Sequence, residues 1–332
     1  MSRRPLAALS VTALVAGGLW FAVAPQDRAA ATESTTSGIN APYLYLGWGN
    51  PPSPTRVMSA TGATQFTLAF VLSDGTCTPK WDGERGLKNG TDAAAIKAIR
   101  KAGGDVTVSF GGAGGAKLGE KCSTSTALAA AYQKVIDAYA LHSIDIDLES
   151  TEFTRATVRK RVVGALKTVK KNNPGLKVYV TFTTGTDGPG TNGTDLIRRA
   201  AAAHLTVDAW TVMPFDFEQG TTDTDMPAAT ESSVNALKDI VAHAYDVSSS
   251  TAYRHTGFSA MNGTTDSTGE TVTVAGFRKM LTYATKHHLA RVSVWSVNRD
   301  RACAEATTDA DACSGIAQTA YAFTKALAGY TG

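Results

Sequence analysis

Ser143-Ile144-Asp145-Ile146-Asp147-Leu148-Glu149 alternates acidic with aliphatic residues. Alternation with period two marks a β-strand, whose successive side chains point to opposite faces. Ile144, Ile146 and Leu148 then share an apolar face, while Asp145, Asp147 and Glu149 line the other, spaced about 7 Å apart along it. Three carboxyls on one part-buried wall do not all ionise cheaply, so one proton is retained near neutral pH. A carboxyl that keeps its proton beside ionised neighbours suits acid catalysis of an ether-type bond. The same seven residues also fit a solvated acidic edge or a hard-cation site of oxygen ligands. The rest of the chain must separate the three.

On the N-terminal side, Tyr43–Trp48, Gln65–Leu72 and Val106–Phe110 read as strands one to three. Helices are expected near Thr55–Thr61, Asp92–Ala102 and Thr124–Leu141, the second ending at the C-cap pair Gly103-Gly104. On the C-terminal side, Thr154–Asn172 reads as a helix with its basic residues toward the C-terminal end, stopped by Pro174-Gly175. Strands at Val178–Thr183, Val207–Phe217, Thr256–Met261 and Ala290–Val297 then alternate with helices at Asp195–His204, Ser232–Tyr245, Val274–His288 and Gly315–Leu327. Eight strands alternating with about eight helices predict an α/β fold, a single (β/α)8 TIM barrel over residues 41–332. A doubly wound sheet competes, but Gly111–Gly115 lacks the G-x-G-x-x-G spacing of a dinucleotide site. Functional groups gather at the C-terminal ends of barrel strands. Glu149 lies at that end of strand four, which raises the catalytic reading above the other two.

Residues 1–31 combine a basic start at Arg3-Arg4, an apolar run from Leu6 to Ala24 and the small residues Ala29–Ala31, the pattern of a secretory signal peptide. A Ser/Thr-rich linker follows over residues 32–40. Removing the leader takes away Arg3, Arg4 and Arg28 against Asp27, so the remainder carries two charges fewer than the whole chain's +3. Near-neutral charge without a basic run gives no case for nucleic acid or an anionic membrane and suits an uncharged substrate. Four cysteines in an exported chain predict two disulfides. Cys303 and Cys313 bracket a polar loop and are paired, leaving Cys77 with Cys122. No Cys-x-x-Cys favours metal instead.

Against this frame the chain resembles family 18 glycoside hydrolases, most closely their short secreted bacterial chitinases. Ser109-Phe110-Gly111-Gly112 is similar to the family's S-x-G-G signature, and Asp145-Ile146-Asp147-Leu148-Glu149 to the core of its D-x-x-D-x-D-x-E signature. Met213-Pro214-Phe215-Asp216 resembles M-x-Y-D, and Trp295 the barrel-floor tryptophan. The four motifs follow the family's order across residues 41–332. Two positions depart. His142 stands where the signature has its first Asp, at a strand start expected to be buried, and is read as a helix-end or core histidine. Phe215 stands where many members carry Tyr, so one hydroxyl toward the substrate amide is missing.

The resemblance implies a secreted, monomeric endo-chitinase without metal or cofactor, acting on chitin or chito-oligosaccharides by a substrate-assisted retaining mechanism. Glu149 is implied as the acid and later the base, and Asp147 as the group that grips the acetamido N–H. Asp145 lies deeper, sharing a proton with Asp147 and hydrogen-bonded by Ser109. Asp216 is implied to hold the acetamide or neighbouring hydroxyls, with Met213 packed beneath it. Trp295, out of phase with Val292 and Val294, is expected to face the barrel mouth and carry a sugar. Trp210, in phase with Val212, is expected in the outer core, while Trp48 and Trp81 are open between groove platforms and packing.

The connection from Asn262 to Ala290 has room for one helix and a short loop, without the small domain that larger relatives insert there. An open groove and internal cuts are expected. A sugar-binding barrel without turnover, and an enzyme cutting the core of N-glycans, remain the alternatives. Asn-Gly-Thr triplets at Asn89, Asn192 and Asn262 match glycosylation sequons, although Asn-Gly is first a turn signal.

Overall fold

The computed structural model describes residues 38–217, 223–304 and 309–332; the expected signal peptide, and the expected linker up to residue 37, lie outside the described residues. Eight strands pair in parallel and in chain order. They are Tyr43–Tyr45, Gln65–Ser73, Asp105–Gly111, Ser143–Leu148, Lys177–Thr183, Ala209–Met213, Thr256–Met261 and Arg291–Trp295, called here the first to eighth barrel strands. The sheet closes through the segment before the first strand. Ile39–Asn40 pairs in parallel with the eighth strand at Arg291 and Val292, and Val297 donates its N–H to the Tyr43 carbonyl at 2.9 Å. Ile39 and Asn40, placed in the linker by composition, thus belong to the barrel wall.

Parity along the fourth strand divides the two faces as its alternation requires. Ile144, Ile146 and Leu148 are buried in the outer core with Val108, Phe110, Val178, Val180 and Phe182 from the neighbouring strands. The helices Ser125–Tyr139 and Ala156–Asn172 cover this layer with Leu128, Tyr132, Val162 and Leu166. Asp145 and Asp147 face inward and are also buried.

Several expected elements differ: the first strand ends at Tyr45 rather than Trp48, and the helices expected from Asp195 and Ser232 begin at Gly190 and Met226. The helix expected over 154–172 is Ala156–Asn172, and a short helix that was not expected, Ser150–Thr154, precedes it, with Arg155 extended between the two. The sixth strand ends at Met213, where Phe215 turns back to donate its N–H to the Met213 carbonyl and Asp216 enters the left-handed region at φ 53°. The closing helix is Ala322–Ala328. Its early amides donate to the buried Asp300 carboxylate, Phe323 N–H at 3.1 Å and Thr324 N–H at 2.7 Å, and this fixes where the helix begins.

Between the seventh and eighth strands lie a two-stranded hairpin, Gly263–Thr264 with Thr271–Val272, and the helix Val274–His287, with no inserted domain. Both expected disulfides are present, Cys77–Cys122 and Cys303–Cys313. Two surface expectations are corrected. His142, read as a helix-end or core histidine, is not in the core: it lies just past the helix Ser125–Tyr139, its side chain is 82% exposed and it pairs with Asp105 at 2.7 Å. Asn262 is fully buried, its amide bonded to the backbone of Ser296, so it cannot carry a glycan. Among the described residues no helix is long and apolar enough to cross a membrane.

Candidate active site

A cleft of about 430 Å³ opens where the barrel strands end, and Asp147, Glu149, Met213, Phe215, Asp216 and Trp295 all line it. Ser109 and Asp145 lie one layer deeper and are fully buried. The sequence motifs are therefore brought together.

Asp145 is the centre of the lower layer. Its Oδ2 accepts from Ser109 Oγ at 2.7 Å and Tyr43 OH at 2.8 Å, and its Oδ1 from Thr181 Oγ1 at 2.7 Å and Arg291 Nη1 at 2.8 Å. Both members of the Asp145–Arg291 ion pair are completely buried. Arg291, which the sequence analysis did not include, is thus the cation that faces Asp145 in this layer. Tyr43, Thr181 and Arg291 were missed from sequence, yet parity signals them. Arg291 is in phase with Ser293 and Trp295, so it points inward, where a buried cation needs an acid.

Asp147, two residues along the strand, has no such counter-ion. Burial, then the nearby Glu149 and Asp145, push its carboxyl well above the usual range. Its Oδ1 is buried and has no hydrogen-bond partner among the described residues. Glu149 follows the strand as the first residue before the helix Ser150–Thr154, and its side chain does not cap that helix. Burial raises its pKa to about 7, Lys117 opposes the rise and Asp216 adds to it. A carboxyl poised near 7 beside a second carboxyl can give up a proton and later take one back.

Lys117, also missed, has no sequence signal. It is buried, and its ammonium donates to the carbonyls of Gly112 and Gly114 in the loop that follows the third strand. That loop lies against the fourth strand, with Gly112 N–H donating to the Asp147 carbonyl at 3.0 Å. Glu152 also packs here, its Oε1 accepting from Gly119 N–H at 3.0 Å, and burial raises its pKa to about 8.

The opposite wall is aromatic. Trp295 stacks on Phe70 with ring centres 5.5 Å apart and planes at 18°, and contacts Tyr43 and Tyr45 edgewise or tilted. Trp48 is 55% exposed at the rim, against Tyr45 at 4.1 Å, and its indole N–H donates to Asp311. Trp81 is not a groove platform: it is buried and its indole N–H donates to Tyr139 OH at 2.8 Å. Trp210 is buried in the outer layer beside Phe182, where its phase placed it. Asp216 accepts from Ser267 N–H at 3.0 Å, while its own N–H donates to Glu270 at 2.7 Å, so the hairpin after the seventh strand holds it. Asp82, Asp266 and Asp311 complete an acidic rim that sequence reasoning did not find. Among the described residues no group of three or more His, Cys, Asp or Glu is placed to hold a metal ion.

No family model matches the chain. A protein of Escherichia coli (strain K12) named probable bifunctional chitinase/lysozyme is 26% identical over 276 residues, covering 79% of this chain and 31% of its own length. Endochitinase 11 of Metarhizium anisopliae is 25% identical over 287 residues, covering 79% of this chain and 52% of its own. The chain thus spans between about a third and a half of these relatives. Among solved structures, the catalytic domain of a hyperthermophilic chitinase from Pyrococcus furiosus superimposes with a TM-score of 0.77 at 24% identity, covering 87% of this chain and 93% of that one. Catalytic-site mutants of the same organism's active domain 2, complexed with chito-oligosaccharides, give 0.78 at 23% identity, over 89% and 96%. In fold the chain is a (β/α)8 barrel of the kind found in family 18 chitinases, and in sequence it is similar to proteins named chitinases.

Proposed function

We propose that this chain is a secreted, endo-acting chitinase that hydrolyses β-1,4-linked N-acetylglucosamine polymers with retention of configuration. What carries the reading is Glu149, held near pKa 7 in a cleft floored by stacked aromatic rings, above an Asp147 oxygen that lacks a partner. Glu149 gives its proton to the leaving glycosidic oxygen as that bond to the anomeric carbon breaks. The substrate's own acetamido oxygen attacks the same carbon and closes an oxazolinium ring. Asp147 Oδ1 accepts the acetamido N–H and steadies the positive charge. Glu149, now ionised, takes a proton from water as the water's oxygen adds to the anomeric carbon and reopens the ring, so configuration is retained.

The similarity to named chitinases supports the substrate class. The short seventh-to-eighth connection supports an open groove and internal cuts, and two disulfides support an oxidising, extracellular setting. The test is release of reducing ends from a chitin hexamer. Glu149→Gln should lower the rate at least about 10²-fold while binding persists. Full activity in that variant, or efficient cutting of fully deacetylated polymer, contradicts the mechanism.

A further inference from the structure

Ser259, on the seventh barrel strand, lines the cleft, is 1% exposed and has no hydrogen-bond partner for its Oγ among the described residues. Tyr45 OH, on the first strand at the aromatic side of the cleft, is likewise unpartnered, whereas the inward-facing serine and threonine hydroxyls deeper in the barrel are satisfied. Ser109 and Thr181 donate to Asp145, and Thr67 and Ser293 donate to the Ala41 carbonyl. A buried hydroxyl with no partner is destabilising, because it has left water and gained nothing in return.

Its surroundings say where a partner can come from. Ser259 lies opposite Ser293 on the eighth strand, and one step beyond the Phe258–Val212 pair, so it neighbours Met213 on the sixth. Met261, two residues further toward the mouth, lies opposite Trp295. Met213, Met261 and Trp295 all line the cleft. The hydroxyl is thus a polar point in an otherwise apolar patch of floor, next to the platform on which a sugar would lie. Its O–H can rotate toward an acceptor arriving from the cleft, whereas Trp295 offers it no acceptor and the thioethers of Met213 and Met261 only weak ones, neither of them engaged.

We infer that Ser259 Oγ donates a hydrogen bond to an oxygen of the sugar seated over Trp295 beside Glu149, which makes it a substrate-binding residue that sets how deep that sugar sits. The inference rests on the proposed chitinase reading. Ser259→Ala separates a binding role from a structural one, since removing an unpartnered hydroxyl does not weaken the fold. Two readouts are paired: the melting temperature of the unliganded protein, and calorimetric binding of N-acetylglucosamine tetramer in the Glu149→Gln background, with kcat/KM on the hexamer in the otherwise native protein. The expected result is a melting temperature equal to or above that of the parent, with affinity and kcat/KM each falling about 3–10-fold. Unchanged affinity and kcat/KM overturn the inference and leave the chitinase reading standing. A lowered melting temperature overturns it by assigning Ser259 to the fold. A parent protein that neither binds the tetramer nor cuts the hexamer removes the reading beneath it, and the inference with it.

Discussion

At Asp145 the acidic strand acquires a structural anchor. Four donors converge on one carboxylate, and the arginine among them is fully buried. Removing one partner of a buried pair leaves the other charge uncompensated, which costs about 3–5 kcal/mol. Asp145→Asn should therefore lower the unfolding free energy by that order, as denaturant titration at neutral pH would measure. A loss below about 1 kcal/mol would mean that Arg291 finds another counter-ion. Glu149 sets a different property. Its pKa of about 7 lies above the ordinary carboxyl range, so the acid form persists through mildly acidic pH and is lost as pH rises through 7. The kcat/KM profile should fall on its alkaline side with an apparent pKa near 7. A fall centred near 4.5 would place Glu149 in an aqueous setting and undo its role as the acid. The same shift acts on stability with a definite sign. The folded chain binds more protons than the unfolded one between the ordinary range and 7, so stability declines as pH rises across that window. Glu152, raised to about 8, extends the decline further.

The loop after the third strand is the element that fixes the floor of the site. Gly111 and Gly112 have φ of 109° and 86°. A Cβ on Gly111 would lie 2.0 Å from the Asp147 carbonyl oxygen, and one on Gly112 would lie 2.7 Å from the Phe70 ring. Gly111→Ala must displace the backbone of the acidic strand as well as bear a left-handed φ, and should cost more than about 2 kcal/mol and most of the activity. A variant with parental melting temperature and rate would show the contact to be soft. This element was half legible. The S-x-G-G pattern marked the glycines, and period two placed Asp145, Asp147 and Glu149 on one face. Lys117, which holds the loop by its carbonyls, carries no pattern because its role depends on where the loop folds back. Trp81 was ambiguous for a similar reason. Its strand, Pro79–Trp81, pairs antiparallel outside the barrel and turns the indole into the core. The short helix Ser150–Thr154 was not legible, being a single turn set off by the extended Arg155.

At the scale of the molecule, eight short strands in chain order made the barrel legible, and each lies within a residue or two of its expected position except where the first and the sixth end early. Closure was not legible, since Ile39 and Asn40 follow a Ser/Thr-rich stretch and gain their strand character from pairing with Arg291 and Val292. The closed wall directs the fourth strand's inward residues to one mouth, where the aromatic wall faces them. The account therefore turns on whether a sugar bound there is attacked by its own acetamide. The direct test is the anomeric form of the first products released from a chitin hexamer, followed by proton NMR before mutarotation sets in. The account predicts β-anomers first, from internal cuts. Initial α-anomers would mean direct attack by water and would contradict it.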